Sequence, residues 1–246
     1  MIQDIAPHKL NNQYDPLAVP KREDFVLFFD GGRLLMKVGE STELLRVKDF
    51  PEDCAFTDVR TLRGASSLPR EILYAIFTGK HLSDWYRDTH FCGRCGRAMT
   101  HSTKERAMKC TCGYTAYPRI MPAVIVGVKN GDSILLTEYR TGFNHNALIA
   151  GFTEIGETAE ETVAREVMEE AGVRVKNITY YKTQPWGIAG DLLIGYYCDL
   201  DGDSSITTDK GELKYAAWVK RGDIQLQPDE ASLTNEMMMF KNGTIR

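Results

Sequence analysis

Two groups of residues in this 246-residue chain have the types and spacing to do chemistry. The first is acidic. Glu157 precedes the run Arg165-Glu166-Val167-Met168-Glu169-Glu170-Ala171-Gly172-Val173. Thr162, Glu166, Glu169 and Glu170 recur at spacings of three and four, which on an α-helix stacks the carboxylates on one face. Val163, Ala164, Val167 and Ala171 are assigned to the apolar face. Carboxylates stacked with no basic partner between them repel by roughly 0.2–0.5 kcal/mol per pair, so a cation is expected to offset the cost. Mg²⁺ or Mn²⁺ suits this role, because a hard divalent cation takes oxygen ligands and shares itself with substrate phosphates. The competing reading is a solvated acidic helix face.

The second group is sulfur-rich. Cys92-Gly-Arg-Cys95 is followed after fourteen residues by Cys110-Thr-Cys112. Four thiolates in two close pairs can close a tetrahedral Zn²⁺ site, and a site with no open position is structural. His90 or His101 stands in as a ligand if Cys110 and Cys112 cannot both reach the ion. Cys54 and Cys198 read as packing residues. Arg94, Arg97, Lys104, Arg106, Lys109 and Arg119 against Glu105 alone give residues 91–120 a charge of +5, so the remainder carries −9 of the total −4. A basic ribbon of this kind supplies a rival class of function, a zinc-ribbon module that binds RNA.

The elements that must hold these groups follow from local pattern. Thr158 and Glu161 have capping-box spacing and Gly172 suits a left-handed C-cap, which predicts a helix over about 159–171. Residues 25–38 read as a hairpin about Asp30-Gly31-Gly32, and a further strand is predicted at 43–47. A helix is predicted from Pro69 with Gly79 as its stop, then a short second helix over 81–88. Residues 123–128 and 134–139 read as a hairpin about Asn130-Gly131, expected to be a type I′ turn. Strands are predicted near 178–182, 192–200 and 215–219, and a last helix near 231–240.

Composition bounds the class. With 43% hydrophobic, 10% aromatic and 26% charged residues, the chain is of ordinary globular type, and collagen-like, coiled-coil and disordered classes fail. The net charge of −4 supplies no global field for nucleic acid. No apolar stretch approaches the roughly 20 residues needed to cross a bilayer, and the N-terminal residues lack the pattern of a secretory signal. The expectation is a soluble, cytoplasmic protein with no membrane partner.

Residues 151–173 resemble the Nudix box, GX5EX7REUXEEXGU with U aliphatic, and match it at every fixed position. The resemblance implies an α/β (α+β) class: a Nudix α/β/α sandwich about a mixed sheet, preceded by a zinc ribbon and a degenerate N-terminal α/β domain. It implies hydrolysis of a nucleoside diphosphate linked to another group. By position, Glu166 and Glu170 match the family's metal ligands with Glu169 adjoining them, and the carbonyl of Ala150 matches a further contact. Glu157 and Arg165 match the pair that braces the loop before the helix. A carboxylate must accept the proton of the attacking water. Glu170 is the first candidate and Glu169 the competing one.

The order of the parts is similar to the NADH pyrophosphatase subfamily: 1–88 a Nudix-associated domain, 89–120 a zinc ribbon, 121–246 the Nudix domain. Glu105 and Tyr117 match positions that face substrate there. The subfamily motif SQPWPFPxS appears as Thr183-Gln184-Pro185-Trp186-Gly187-Ile188-Ala189-Gly190-Asp191, in which Gln-Pro-Trp survives and Phe-Pro does not. Gln184, Pro185, Trp186 and Asp191 are therefore substrate-binding candidates, and Glu212 matches a distant metal-binding glutamate. The resemblance implies cleavage of NADH or NAD to AMP and the nicotinamide mononucleotide, NAD caps on RNA as a further substrate, and a homodimer. A nucleotide sugar or a dinucleoside polyphosphate is the alternative substrate. Loss of the Phe-Pro aromatic removes a stacking surface of about 0.5–1.5 kcal/mol, so selectivity among dinucleotides is expected to be weak.

Overall fold

The computed structural model describes residues 26–30, 33–37, 56–63, 70–140, 145–208, 213–227 and 231–239. The strand predicted at 43–47, Cys54 and Glu212 lie outside these residues. The chain divides into two compact units, residues 1–120 with 186–190, and residues 121–185 with 191–246.

In the first unit β1 (Val26–Asp30) and β2 (Arg33–Lys37) form the expected antiparallel hairpin, with Asp30 opposite Arg33. β3 (Phe56–Asp58) pairs with β2, and α1 (Val59–Arg63) follows. Next comes α2 (Arg70–Asp88), a single helix of 19 residues. The expectation that Gly79 ends a first helix is corrected. Glycine inside a helix costs about 1 kcal/mol relative to alanine, and packing on both sides outweighs it. Leu73, Ile76 and Phe77 are buried before Gly79 and Trp85 after it. Ion pairs from Asp84 to Lys80 and to Arg87 support the second half. The ribbon then forms a small antiparallel sheet of β4 (Thr100–His101), β5 (Met108–Lys109) and β6 (Thr115–Ala116). Its core consists of Cys92, Met99, Met108 and Cys110 packed with Trp85 of α2.

The second unit is built on one mixed sheet. Its strands are β7 (Met121–Asn130), β8 (Ser133–Tyr139), β9 (Ile149–Phe152), β10 (Val175–Trp186), β11 (Asp191–Leu200) and β12 (Leu213–Lys220). They are ordered β10-β11-β7-β8-β12, with β9 also paired to β7. β11 runs parallel to β7, and β7 is antiparallel to β8 and β9. Alternation along a strand sends successive side chains to opposite faces. Val124, Val126 and Val128 of β7, with Tyr196 and Cys198 of β11, pack on Val163, Val167 and Ala171 of α3 (Ala159–Ala171). On the other face Gly127 lies against the ring of Tyr197. Gly195 faces Met237 and Leu233 of α4 (Leu233–Met239). The result is a helix, mixed sheet, helix sandwich.

The hairpin joining β7 to β8 differs in turn type from the expectation. Asn130 pairs with Ser133, so the central residues are Gly131 and Asp132. Of these only Gly131 has positive φ, at 58°. One glycine at the first central position is the pattern of a type II′ turn rather than type I′.

Candidate active site and cysteine cluster

The acidic run lies on α3, whose ends are set as its sequence predicts. Thr158 Oγ1 accepts from the Glu161 N–H while the Glu161 carboxylate accepts from the Thr158 N–H, closing the capping box. Gly172 takes φ 68° at the C-cap, and its N–H donates to the Met168 carbonyl. One face assignment is corrected: Ala164 is exposed, and the core-facing stripe is Val163, Val167 and Ala171.

Arg165 holds the site together. Its Nε and Nη2 donate to the two oxygens of Glu157 at 2.6 and 2.9 Å. Nη1 reaches Glu166 Oε1 at 2.7 Å and Glu169 Oε2 at 3.0 Å, and Nη2 also reaches the Phe152 carbonyl at 3.0 Å. The reading that these carboxylates have no basic partner is thereby corrected. The signal was present in the sequence, since Arg165 and Glu169 stand four apart on the helix. Glu157 is fixed further by the N–H of Glu154 at 3.1 Å and the hydroxyl of Thr162 at 3.0 Å. Glycine at 156, with φ 97°, allows the turn that brings the Glu157 carboxylate back to the Glu154 N–H. The Arg165 hydrogen bonds are the largest cause holding the Glu157 carboxyl down at about 2, and the same contacts raise Arg165.

The remaining carboxylates are placed differently. Glu170 is buried at 3% exposure. Glu166 lies directly on the backbone of Gly151, where a Cβ would fall 2.0 Å from its carboxyl carbon. Ala150 is the residue before Gly151 in β9. A backbone carbonyl and the carboxylates of Glu166, Glu169 and Glu170 are all oxygen donors, a chemistry that suits Mg²⁺ or Mn²⁺ rather than a soft metal, although among the described residues the four ribbon cysteines alone come together as a set of metal-ligand atoms.

All four ribbon cysteines converge, with their Sγ atoms within 4.8 Å of one another. The Cys92–Cys112 and Cys95–Cys110 pairs stand 3.7 and 3.5 Å apart. Sulfurs at the corners of a tetrahedron with Zn–S of about 2.3 Å lie about 3.8 Å apart, so the cluster fits zinc. The backbone N–H of Cys112 chiefly pulls the Cys110 thiol down to about 6, while Cys95 among the same sulfurs is raised. His90 and His101 are exposed and the stand-in role is not called on. Cys198 is fully buried and its thiol is pushed up to about 12 by that burial, as befits a packing residue.

The substrate candidates separate by exposure. Tyr117 is 58% exposed, and its hydroxyl donates to Glu105 at 3.3 Å. Gln184 is buried and donates to the Ala231 carbonyl at 3.0 Å. Trp186 and Asp191 are also buried, whereas Pro185 is exposed. An exposed aromatic that the sequence reading passed over, Phe152, closes β9 next to the acidic helix at 52% exposure.

With this geometry in view, comparison with known proteins is decisive. The NUDIX domain family matches residues 119–238. A protein of Enterobacter sp. named NAD-capped RNA hydrolase NudC is 37% identical over 185 residues, covering 74% of this chain and 70% of that one. The chain belongs to the Nudix family. A Klebsiella pneumoniae relative of the same name is 41% identical over 164 residues, covering 65% of this chain and 63% of that one. A solved Nudix hydrolase from Nitrosomonas europaea, at 20% identity, covers 60% of this chain and 86% of that chain with a TM-score of 0.52, in agreement on the Nudix fold.

Two predictions follow from this geometry. Glu157 is lowered in the folded protein from an ordinary 4.5 to about 2. Its stabilising contribution is therefore complete above 4.5 and is lost as pH falls from there towards 2. Denaturant titrations without added divalent cation should show Glu157→Gln less stable than the parent at neutral pH, with the difference shrinking below about pH 4. A difference that stays constant with pH contradicts the pairing. For the ribbon, freshly purified protein should carry one equivalent of zinc by metal analysis, and Cys112→Ser should lower its occupancy. Full occupancy in that variant would point to a histidine ligand.

Proposed function

We propose that this protein hydrolyses the pyrophosphate bond of NADH or NAD, releasing AMP and the nicotinamide mononucleotide, and that NAD caps on RNA present the same bond to the same site. The observation that carries this reading is the 37% identity over 185 residues to a protein named as an NAD-capped RNA hydrolase, together with an intact catalytic box. The parts are a Nudix-associated domain at 1–88, a zinc ribbon at 89–120 and the hydrolase domain at 121–246. The protein acts as a cytoplasmic homodimer. Exposed Phe91 and Ile120 of the ribbon supply apolar surface for the subunit contact. Among the described residues no helix is long and apolar enough to cross a membrane.

Glu166, Glu169 and Glu170 with the carbonyl of Ala150 would hold Mg²⁺ or Mn²⁺, with Glu212 as a further candidate by its place in the sequence; zinc would be the structural ion of the cysteine cluster. Such a cation, when bound, would neutralise the pyrophosphate oxygens and acidify the attacking water. The protein's own residues do the rest. Arg165 fixes Glu166 and Glu169 and ties them to the Glu157 loop, so the acidic face is ordered before substrate arrives. Glu170 accepts the proton of the water. Glu169 is the competing candidate, with its charge already shared with Arg165.

Exposed Tyr117 and Pro185 and half-buried Glu105 are each candidates for contact with the dinucleotide, while Gln184, Trp186 and Asp191 give the 184–191 segment its shape. Phe152 offers a stacking face for a base or nicotinamide ring. Ile188 and Ala189 stand where the subfamily carries an aromatic and a proline, so the protein discriminates weakly among adenine dinucleotides.

A panel of nucleotide substrates with Mg²⁺ or Mn²⁺, read by product mass, tests the assignment. AMP and the mononucleotide should appear from NADH and NAD, with other adenine dinucleotides cut within about 100-fold, and Ile188→Phe should widen the gap. Strong preference for a nucleotide sugar would overturn the substrate, and tight, steeply salt-dependent RNA binding without cleavage would overturn the enzyme. Glu170→Gln should lower turnover by at least about 100-fold with the fold intact; a near-normal rate removes Glu170 from the proton transfer.

A further inference from the structure

The segment read above as meeting the dinucleotide turns on Trp186, and that ring is gripped from the protein side. Phe77 of α2 meets it edge to face, with centroids 5.3 Å apart and planes inclined at 69°. The Arg63 guanidinium of α1 lies 5.1 Å from the ring centre. The next residue is closer still. A Cβ on Gly187 would fall 2.1 Å from the carbonyl oxygen of Phe77 and 2.5 Å from its carbonyl carbon, so the turn lies backbone to backbone on α2. The turn closes on itself as the N–H groups of Ala189 and Gly190 donate to the Trp186 carbonyl at 3.2 and 3.1 Å. There is no space here for α2 to shift without carrying the turn along.

Eight residues further along α2, about 12 Å up its axis, Trp85 packs with Cys92 and Cys110 in the ribbon core. The contact is reinforced by Tyr86, whose ring lies 4.5 Å from Trp85 and 4.9 Å from His101. The Thr89 hydroxyl donates to the Trp85 carbonyl and so ties the helix end to the chain entering the cluster. One rigid helix therefore has the metal-binding cysteines packed at one end and the turn at its middle, all within one compact unit.

We propose that α2 couples the state of the four-cysteine cluster to the Trp186–Gly190 turn, with Phe77 as the positioning residue for Trp186 and hence for dinucleotide selection. The proposal rests on the reading that this turn serves the dinucleotide. It gives the cluster a second task besides holding the ribbon together, since a packed helix transmits displacement rather than absorbing it. It also accounts for glycine at 187. Any side chain there meets the carbonyl of Phe77, so only glycine gives the turn its close seat on the helix.

The chain has three tryptophans, and their positions make the test direct. Trp85 reports the cluster and Trp186 the turn. Trp218, whose indole N–H donates to the Ser204 carbonyl at 2.8 Å in the other unit, is the control. Full-length zinc-loaded protein labelled with 5-fluorotryptophan is followed by ¹⁹F NMR as zinc is withdrawn by a chelator. The Trp85 and Trp186 signals should shift together while Trp218 stays. In Phe77→Ala, Trp85 should still respond and the Trp186 response should shrink to what the backbone seat of Gly187 on α2 still transmits. If chelation unfolds the unit, replacing zinc with the larger Cd²⁺ ion perturbs the cluster while keeping it filled, and the same readings apply. In parallel, Phe77→Leu should raise KM for NADH roughly two- to tenfold with kcat nearly unchanged, the factor for losing one aromatic edge contact. A Trp186 signal that stays fixed while Trp85 moves overturns the coupling. Coupled signals in a protein that does not cut NADH would sustain the coupling and overturn the substrate reading alone.

Discussion

The site depends on the guanidinium of Arg165. One planar fork reaches both oxygens of Glu157, one oxygen each of Glu166 and Glu169, and the carbonyl of Phe152. A lysine could not do this, because its ammonium is a point charge without the paired donors. Exposed ion pairs are ordinarily worth little, but this one is a partly buried network with two parallel bonds to one carboxylate. It sets the loop between β9 and α3 in register with the first turns of the helix. The crowding of negative charge on α3 is tolerable before any cation arrives because Arg165 lies within it.

Around that contact the fold supplies two fixed references. β9 places Gly151 beneath Glu166, where the lack of a side chain is what lets the carboxylate approach the backbone. The capping box and the left-handed Gly172 fix where α3 begins and ends, and the stripe Val163, Val167 and Ala171 sets its rotation against β7. Tyr196 adds a tie at the first turn, with its hydroxyl on Glu160 at 2.9 Å. Position, rotation and charge are thus set by three different kinds of interaction, none of which involves the reacting atoms.

Much of this was legible from residue order alone. α3 was readable to both caps because its signals are local: an N-cap threonine, a glutamate three residues on, and a glycine after the last apolar position. The cysteine cluster was readable because two close pairs of thiols have few other uses. What escaped was decided by contacts distant in sequence. Gly79 looked like a stop, and only the packing of Phe77 and Trp85 on either side keeps α2 continuous. The turn at Gly131 was misread by one residue because strand register, set across the whole sheet, decides which pair of residues is central. Gln184 and Trp186 carried a family signature, yet their burial follows from Ala231 and Phe77, far away in the chain.

The claim that Arg165 organises the acidic face is tested most directly by a double-mutant cycle on cation binding. Mn²⁺ affinity, measured by electron paramagnetic resonance, would be compared for the parent, Arg165→Lys, Glu157→Gln and the double variant. If the fork and its partner act as one unit, each single change weakens binding and the double is little worse than either, with a coupling of at least about 1 kcal/mol. Strictly additive losses, or singles that bind Mn²⁺ like the parent, would contradict the account.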